Sequence, residues 1–153
     1  MLPDTTRRVV SHTADEVNER IRRQTEANVA YFARHPERIG QRLRELDAEW
    51  DMERTLEANA ATLAFGGTVL GALGHRRWLL LSGIASGFLL QHALQGWCPP
   101  VPLLRRLGVR TASEIESERY ALKLLRGDFD QAASSAGQSP AERAEAALNA
   151  IRA

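Results

Sequence analysis

Apolar residues recur along this chain in two different ways. Val17, Ile21 and Val29, with Phe32 close by, fall on one side of a helix that ends near His35-Pro36. Ile39, Leu43, Leu46 and Trp50 then follow at spacings of four, three and four, the stripe of an amphipathic helix whose other faces carry Arg42, Glu45, Asp47 and Glu49. Past Leu56 the pattern changes. Residues 58–74 form an uncharged run of 17, His75, Arg76 and Arg77 interrupt it, and residues 78–104 form a second uncharged run of 27.

Helix signals punctuate these runs. Thr13-Ala14-Asp15-Glu16 has the spacing of a capping box, with a hydroxyl for a free backbone N–H and a carboxylate reaching back. Pro36 suits the first turn of a second helix, where its missing N–H would have no partner anyway. Thr111-Ala112-Ser113-Glu114 is a second capping box, opening a helix with Ile115, Leu122 and Leu125 that closes at Gly127. Ser139-Pro140-Ala141-Glu142 opens a last, Ala-rich helix. Pro99, Pro100 and Pro102 predict an extended, stiff segment after the second uncharged run.

Length decides what the two runs can do. Seventeen helical residues rise about 25 Å and residues 78–97 about 30 Å, against a hydrocarbon core of roughly 30 Å. Trp78 and Trp97 at the ends of the second run match the aromatic belts of a bilayer. Gly67 and Gly71 in the first run, and Gly83 and Gly87 in the second, each place two glycines one turn apart, where backbones can approach closely. The prediction is an all-α chain: a two-helix transmembrane hairpin (about 58–74 and 78–97), amphipathic N-terminal helices and a C-terminal helical extension. Its parts are an N-terminal helical region (1–56), the hairpin with an interfacial segment (57–109), a C-terminal helix (110–129), and a linker with a short terminal helix (130–153). In the interfacial segment, Leu103, Leu104 and Leu107 would face the bilayer, with Arg105 and Arg106 directed at phosphates.

Charge orients the hairpin and excludes some functions. Arg42, Arg44, Arg54, Arg105, Arg106 and Arg110 flank its open end against Arg76 and Arg77 in the turn, which predicts both termini in the cytoplasm. The 20 basic and 19 acidic residues nearly cancel, so a global field for nucleic acid is absent. Arg and Ala enrichment looks like a GC-rich bacterial coding bias. Nothing after Arg7-Arg8-Val9-Val10 reads as a signal peptide.

Gly87-Phe88-Leu89-Leu90-Gln91 through Gly96-Trp97-Cys98-Pro99, with Leu103-Leu104 and Leu107-Gly108, resembles the YgaP-like transmembrane domain, a small bacterial inner-membrane module elsewhere fused to a rhodanese domain. The likeness covers roughly residues 57–109, and the Gly-aromatic-Cys-Pro element is its most specific part. It implies a two-span hairpin in a family without a characterised function. No rhodanese active-site loop is present, so sulfur transfer does not carry over.

Little catalytic chemistry stands out. Cys98, the single cysteine, excludes an internal disulfide and a cysteine-cluster metal site. Near Arg105 and Arg106 it could acquire thiolate character, against an ordinary use as a small apolar residue. His92, flanked by Gln91 and Gln95, is the ionisable group in the second span. His12, His35 and His75 are scattered and suggest no metal, and no cofactor is implied. Glu114, Glu116, Glu118 and Arg119 read as a solvated helix face.

The reading that follows is a non-enzymatic bacterial inner-membrane hairpin protein acting in assembly or scaffolding. Its partners would be the lipid bilayer and itself or another membrane protein. One alternative is a membrane-bound sulfur or redox carrier using Cys98. The other is a soluble helical bundle that buries the hairpin as its core.

Overall fold

The computed structural model describes residues 7–130 and 139–152. Every regular element among them is helical, so the chain is all-α. The order is α1 (Arg8–Ser11), α2 (Asp15–Arg34), a 3-10 turn (Pro36–Arg38), α3 (Ile39–Ala48), α4 (Met52–Leu73), α5 (Trp78–Gln95), α6 (Pro100–Arg106), α7 (Ala112–Arg126) and α8 (Pro140–Arg152). Residues expected to form a linker, 131–138, lie outside the described part. Two compact units result: Met1–Arg23 with Trp50–Ile115, and Gln24–Glu49 with Glu116–Ala153.

The first unit is built around α4 and α5, which pack along each other as a hairpin closed by the turn Gly74–Arg77. Gly67 and Gly71 are buried in the helix contact. A Cβ on Gly67 would stand 2.8 Å from both Ser82 Oγ and the Trp78 carbonyl oxygen, and one on Gly71 would stand 2.6 Å from Leu79 Cδ2. At Gly67 a larger side chain would press on the backbone of α5, and at Gly71 it would have to displace the Leu79 side chain. Polar contacts seal the approach: the Ser82 and Thr68 hydroxyls both donate to the Ala64 carbonyl, at 2.6 and 2.8 Å. The same spacing in α5 has no such use, because Gly83 and Gly87 face open space.

Where the hairpin opens, Met52 and Leu56 of α4 join Val9, Cys98 and Val101 in a buried cluster, flanked by Leu104 and Val109. Two devices start α4 there. Asp51 Oδ1 accepts from the Arg54 N–H at 2.8 Å, and the Met52 N–H donates to the Arg110 carbonyl at 2.8 Å. The helix therefore begins afresh after α3, with Glu49 to Asp51 between them.

Two sequence expectations are corrected here. The prolines do not hold an extended segment, because Pro99 caps α6 and Pro100 and Pro102 lie in its first turn. Those first N–H groups have no intrahelical acceptor, so proline loses nothing there, and its fixed φ favours the helix. The Thr13 box does not form either. Thr13 is buried, and its hydroxyl donates to the Val9 carbonyl one turn back, at 2.8 Å. The box at Thr111 does form: Glu114 Oε2 accepts from the Thr111 N–H at 2.8 Å and Thr111 Oγ1 from the Glu114 N–H at 3.3 Å.

In the second unit, the stripe on α3 is buried at Ile39, Leu43 and Leu46, as is Leu122 of α7. Trp50, past the end of α3, belongs instead to the first unit, where it is half exposed with the Arg54 guanidinium 4.5 Å over its ring. α7 also brings Glu118 inside. This carboxylate, 0% exposed, accepts from Arg42 Nε at 2.8 Å and Asn28 Nδ2 at 3.2 Å. Arg119 pairs with Asp47 and Glu116. The predicted solvated face is thus a paired one, as a charge entering a core requires. α7 ends at Gly127, φ +84°, where the Asp128 N–H reaches back to the Lys123 carbonyl. The last helix, α8, starts at Ser139-Pro140-Ala141-Glu142 as expected, and there Glu142 Oε2 accepts from the Ser139 N–H while Ser139 Oγ accepts from the Glu142 N–H.

Candidate functional site

The hairpin turns its large side chains outward. Leu63, Phe65 and Leu73 on α4, and Leu80, Ile84 and Leu90 on α5, are about half exposed or more, while the inner faces carry glycine, alanine and serine. By length and composition, one helical stretch, Pro36–Leu73, contains a window apolar enough to cross a membrane, and 17% of that window is buried. At 1.5 Å per residue, the 22 residues of α4 rise about 33 Å and the 18 of α5 about 27 Å. Gln91, His92 and Gln95 lower the mean hydropathy of α5.

Of the residues expected at a membrane interface, Trp78 is half exposed, Trp97 partly covered and Arg106 exposed. Arg105 is not at a surface at all. It is 0% exposed, with both terminal nitrogens on Glu114 at 2.7 and 2.8 Å, and Nη2 also donates to Asn18 Oδ1 at 2.9 Å. Burial opposes the Glu114 charge, but the Arg105 hydrogen bonds and the Thr111 N–H outweigh it and hold the carboxyl below its ordinary range. The correction has a plain physical origin: an arginine next to leucines can turn inward once a carboxylate is there to meet it.

Cys98 lies in the buried cluster, 2% exposed. Burial pushes its thiol up, against the smaller pull of the Val101 N–H. Arg105, already engaged by Glu114, does not supply the stabilisation of a thiolate that the sequence suggested. The thiol also borders a cleft of about 280 Å³ between α4, α5 and α6, whose walls include Leu56, Leu63, Phe88 and Leu104.

His92 is the more unusual residue. It is 3% exposed, and neither ring nitrogen has a hydrogen-bond partner. Among the described residues, Arg8 Nε, Glu53 Oε2 and Arg105 Nε are likewise buried without partners. Arg8 is anchored by Nη1, which donates to the Ala93 carbonyl at 2.9 Å. Its stem crosses Gly96, where a Cβ would lie 2.4 Å from Arg8 Cβ and Cγ. Sequence reading marked His92 but missed Arg8 and Glu53. The sequence trace of Arg8's position is Gly96, the residue that admits its side chain. Among the described residues, no three His, Cys, Asp or Glu side chains gather to hold a metal ion.

Compared with protein-family models, curated proteins and solved structures, the chain matches none.

Proposed function

We propose that the chain is a non-enzymatic membrane protein whose α4–α5 hairpin inserts in a bilayer, with the remaining helices as water-soluble arms for assembly or scaffolding. The observation that carries this is the inverted distribution of side chains: small residues inside the hairpin, large apolar ones outside. A contiguous apolar surface of this kind marks a membrane or protein contact, not a solvated face. Without water, helix contacts rest on close packing and interhelical hydrogen bonds, and the Gly67–Ser82 region supplies both. Arginines around the open end favour termini in the cytoplasm of a bacterial inner membrane. The resemblance to YgaP-like hairpins suits the same reading.

The soluble-bundle alternative would need another chain to cover that surface, since the hairpin is not buried within its own chain. The carrier alternative rests on a thiol that is buried and pushed towards its protonated form.

The test is alkaline carbonate extraction of membranes from cells expressing the tagged protein, with protease accessibility of both termini in spheroplasts. Retention in the pellet with protected termini is the expected result. Release into the supernatant overturns the membrane reading, and digestion of both termini from outside overturns the orientation.

A further inference from the structure

The cleft between α4, α5 and α6 is a feature that scaffolding leaves unused. Among its walls, Leu63, Phe88 and Leu103 are 49, 38 and 61% exposed, so it opens onto the outward apolar surface of the hairpin. Its floor is different. Leu56, Ala85 and Cys98 are 5, 6 and 2% exposed, so the cleft reaches past that surface into the base of the hairpin.

What can fill it follows from these walls. Ordered water needs roughly two to four polar partners. Among the described lining residues Asn59 supplies the one side-chain amide, and its Nδ2 already donates to the Thr55 carbonyl at 2.7 Å. The cleft therefore suits hydrocarbon. Size narrows the choice further. One turn of a helix, about 10 Å across and about 5.4 Å high, displaces roughly 400 Å³. That exceeds the cleft's volume of about 280 Å³, so a partner's helix does not enter, whereas a stretch of acyl chain does. Charge at the end of α6 suits a headgroup. Arg106 is exposed and stands three residues after Leu103, on the same side of the helix. Arg20 Nη2 donates to the Arg106 carbonyl at 2.8 Å, which brings a second guanidinium there.

We propose that this cleft binds one phospholipid with an anionic headgroup, an acyl chain between α4, α5 and α6 and the phosphate at Arg106 and Arg20. The proposal rests on insertion of the hairpin in a bilayer and goes beyond it. Lipid along the outer faces of α4 and α5 exchanges freely, while a chain seated on Leu56, Ala85 and Cys98 is held. Because it binds the folded arrangement of all three helices, it also stabilises the docking of α6.

The experiment reconstitutes the full chain in phosphatidylcholine vesicles containing phosphatidylglycerol with a diazirine on its acyl chain. Flotation reports membrane association, and peptide mass spectrometry after photolysis reports where the chain lies. Adducts are expected on Leu56, Ala60 and Cys98 in excess of those on Leu80 and Ile84, which face outward away from the cleft. Ala60→Phe fills the cleft and should abolish that excess, and Leu80→Phe should leave it unchanged. Arg20→Gln with Arg106→Gln should lower the preference over photoreactive phosphatidylcholine about tenfold, as loss of a charge-assisted contact predicts. Protein that fails to float overturns bilayer insertion and this site with it. Floated wild type with adducts spread evenly over α4 and α5, or with none in the cleft, overturns the lipid site alone and needs no variant.

Discussion

Arg105 meets Glu114 nitrogen to oxygen on both sides, at 2.7 and 2.8 Å, and no part of the arginine reaches solvent. Nine residues separate the two, so this clasp ties the end of α6 to the first turn of α7. Removing the carboxylate leaves the buried arginine charge without a counterion. Glu114→Gln is expected to destabilise the fold by about 3–5 kcal/mol, and Arg105→Met with Glu114→Leu by much less. Denaturant titration in mild detergent measures both.

The same pair sets an acid limit. The folded-state carboxyl of Glu114 is held below its unfolded value, so it binds a proton less readily when folded. Its contribution is present above the unfolded pKa and is lost as pH falls through the lower, folded one. The wild type should lose stability on acidification below the ordinary glutamate range. Glu114→Gln should show a shallower loss over the same window; equal slopes would refute the assignment.

Gly96 and Gly108 separate two reasons for glycine. Both have positive φ, +72° and +91°, but only at Gly96 does another residue occupy the space of a Cβ. Gly108→Ala is expected to cost about 1–2 kcal/mol of backbone strain. Gly96→Ala should cost more, because it also displaces Arg8. Combining it with Arg8→Gly, which also removes the Cβ that Arg8→Ala would keep, should recover part of the excess in a thermal-shift comparison.

The two glycine pairs should also respond differently. Gly67→Leu and Gly71→Leu force α4 away from α5 and are expected to lower the melting temperature of the hairpin. Gly83→Leu and Gly87→Leu meet open space and should leave it unchanged. If all four behave alike in detergent, the packing described is incorrect.

Cys98 should react slowly with maleimide in the folded protein and rapidly after denaturation, because it is buried and its thiol is pushed up. Fast labelling under native conditions would return the carrier reading to the front.

What the sequence makes legible is local. The turn at residues 74–77 falls where the two arginines interrupt the apolar runs, and the boxes at Thr111 and Ser139 form because each needs only residues three apart. Thr13-Ala14-Asp15-Glu16 has the same spacing, yet a nearby Val9 carbonyl claims the hydroxyl. Gly67-x3-Gly71 and Gly83-x3-Gly87 are indistinguishable as strings; only the partner helix decides which pair is used. Glu118 looks like its exposed neighbours until Arg42, 76 residues away, is brought to it. The anchoring of Arg8 on the Ala93 carbonyl next to His92 was hidden for the same reason, since the two come from separate helices.

The bond from the Met52 N–H to the Arg110 carbonyl carries a lesson about timing. Arg110 and Glu114 lie beyond α5 in the chain, so the hairpin can pair before the first turn of α4 has this acceptor and before Arg105 has its carboxylate. The packing of Gly67 and Gly71 against α5 needs neither. The segment after α5 thus returns to the base of the hairpin and fastens it without taking part in the helix contact. A chain truncated before residue 110 should keep the hairpin and lose the fastening.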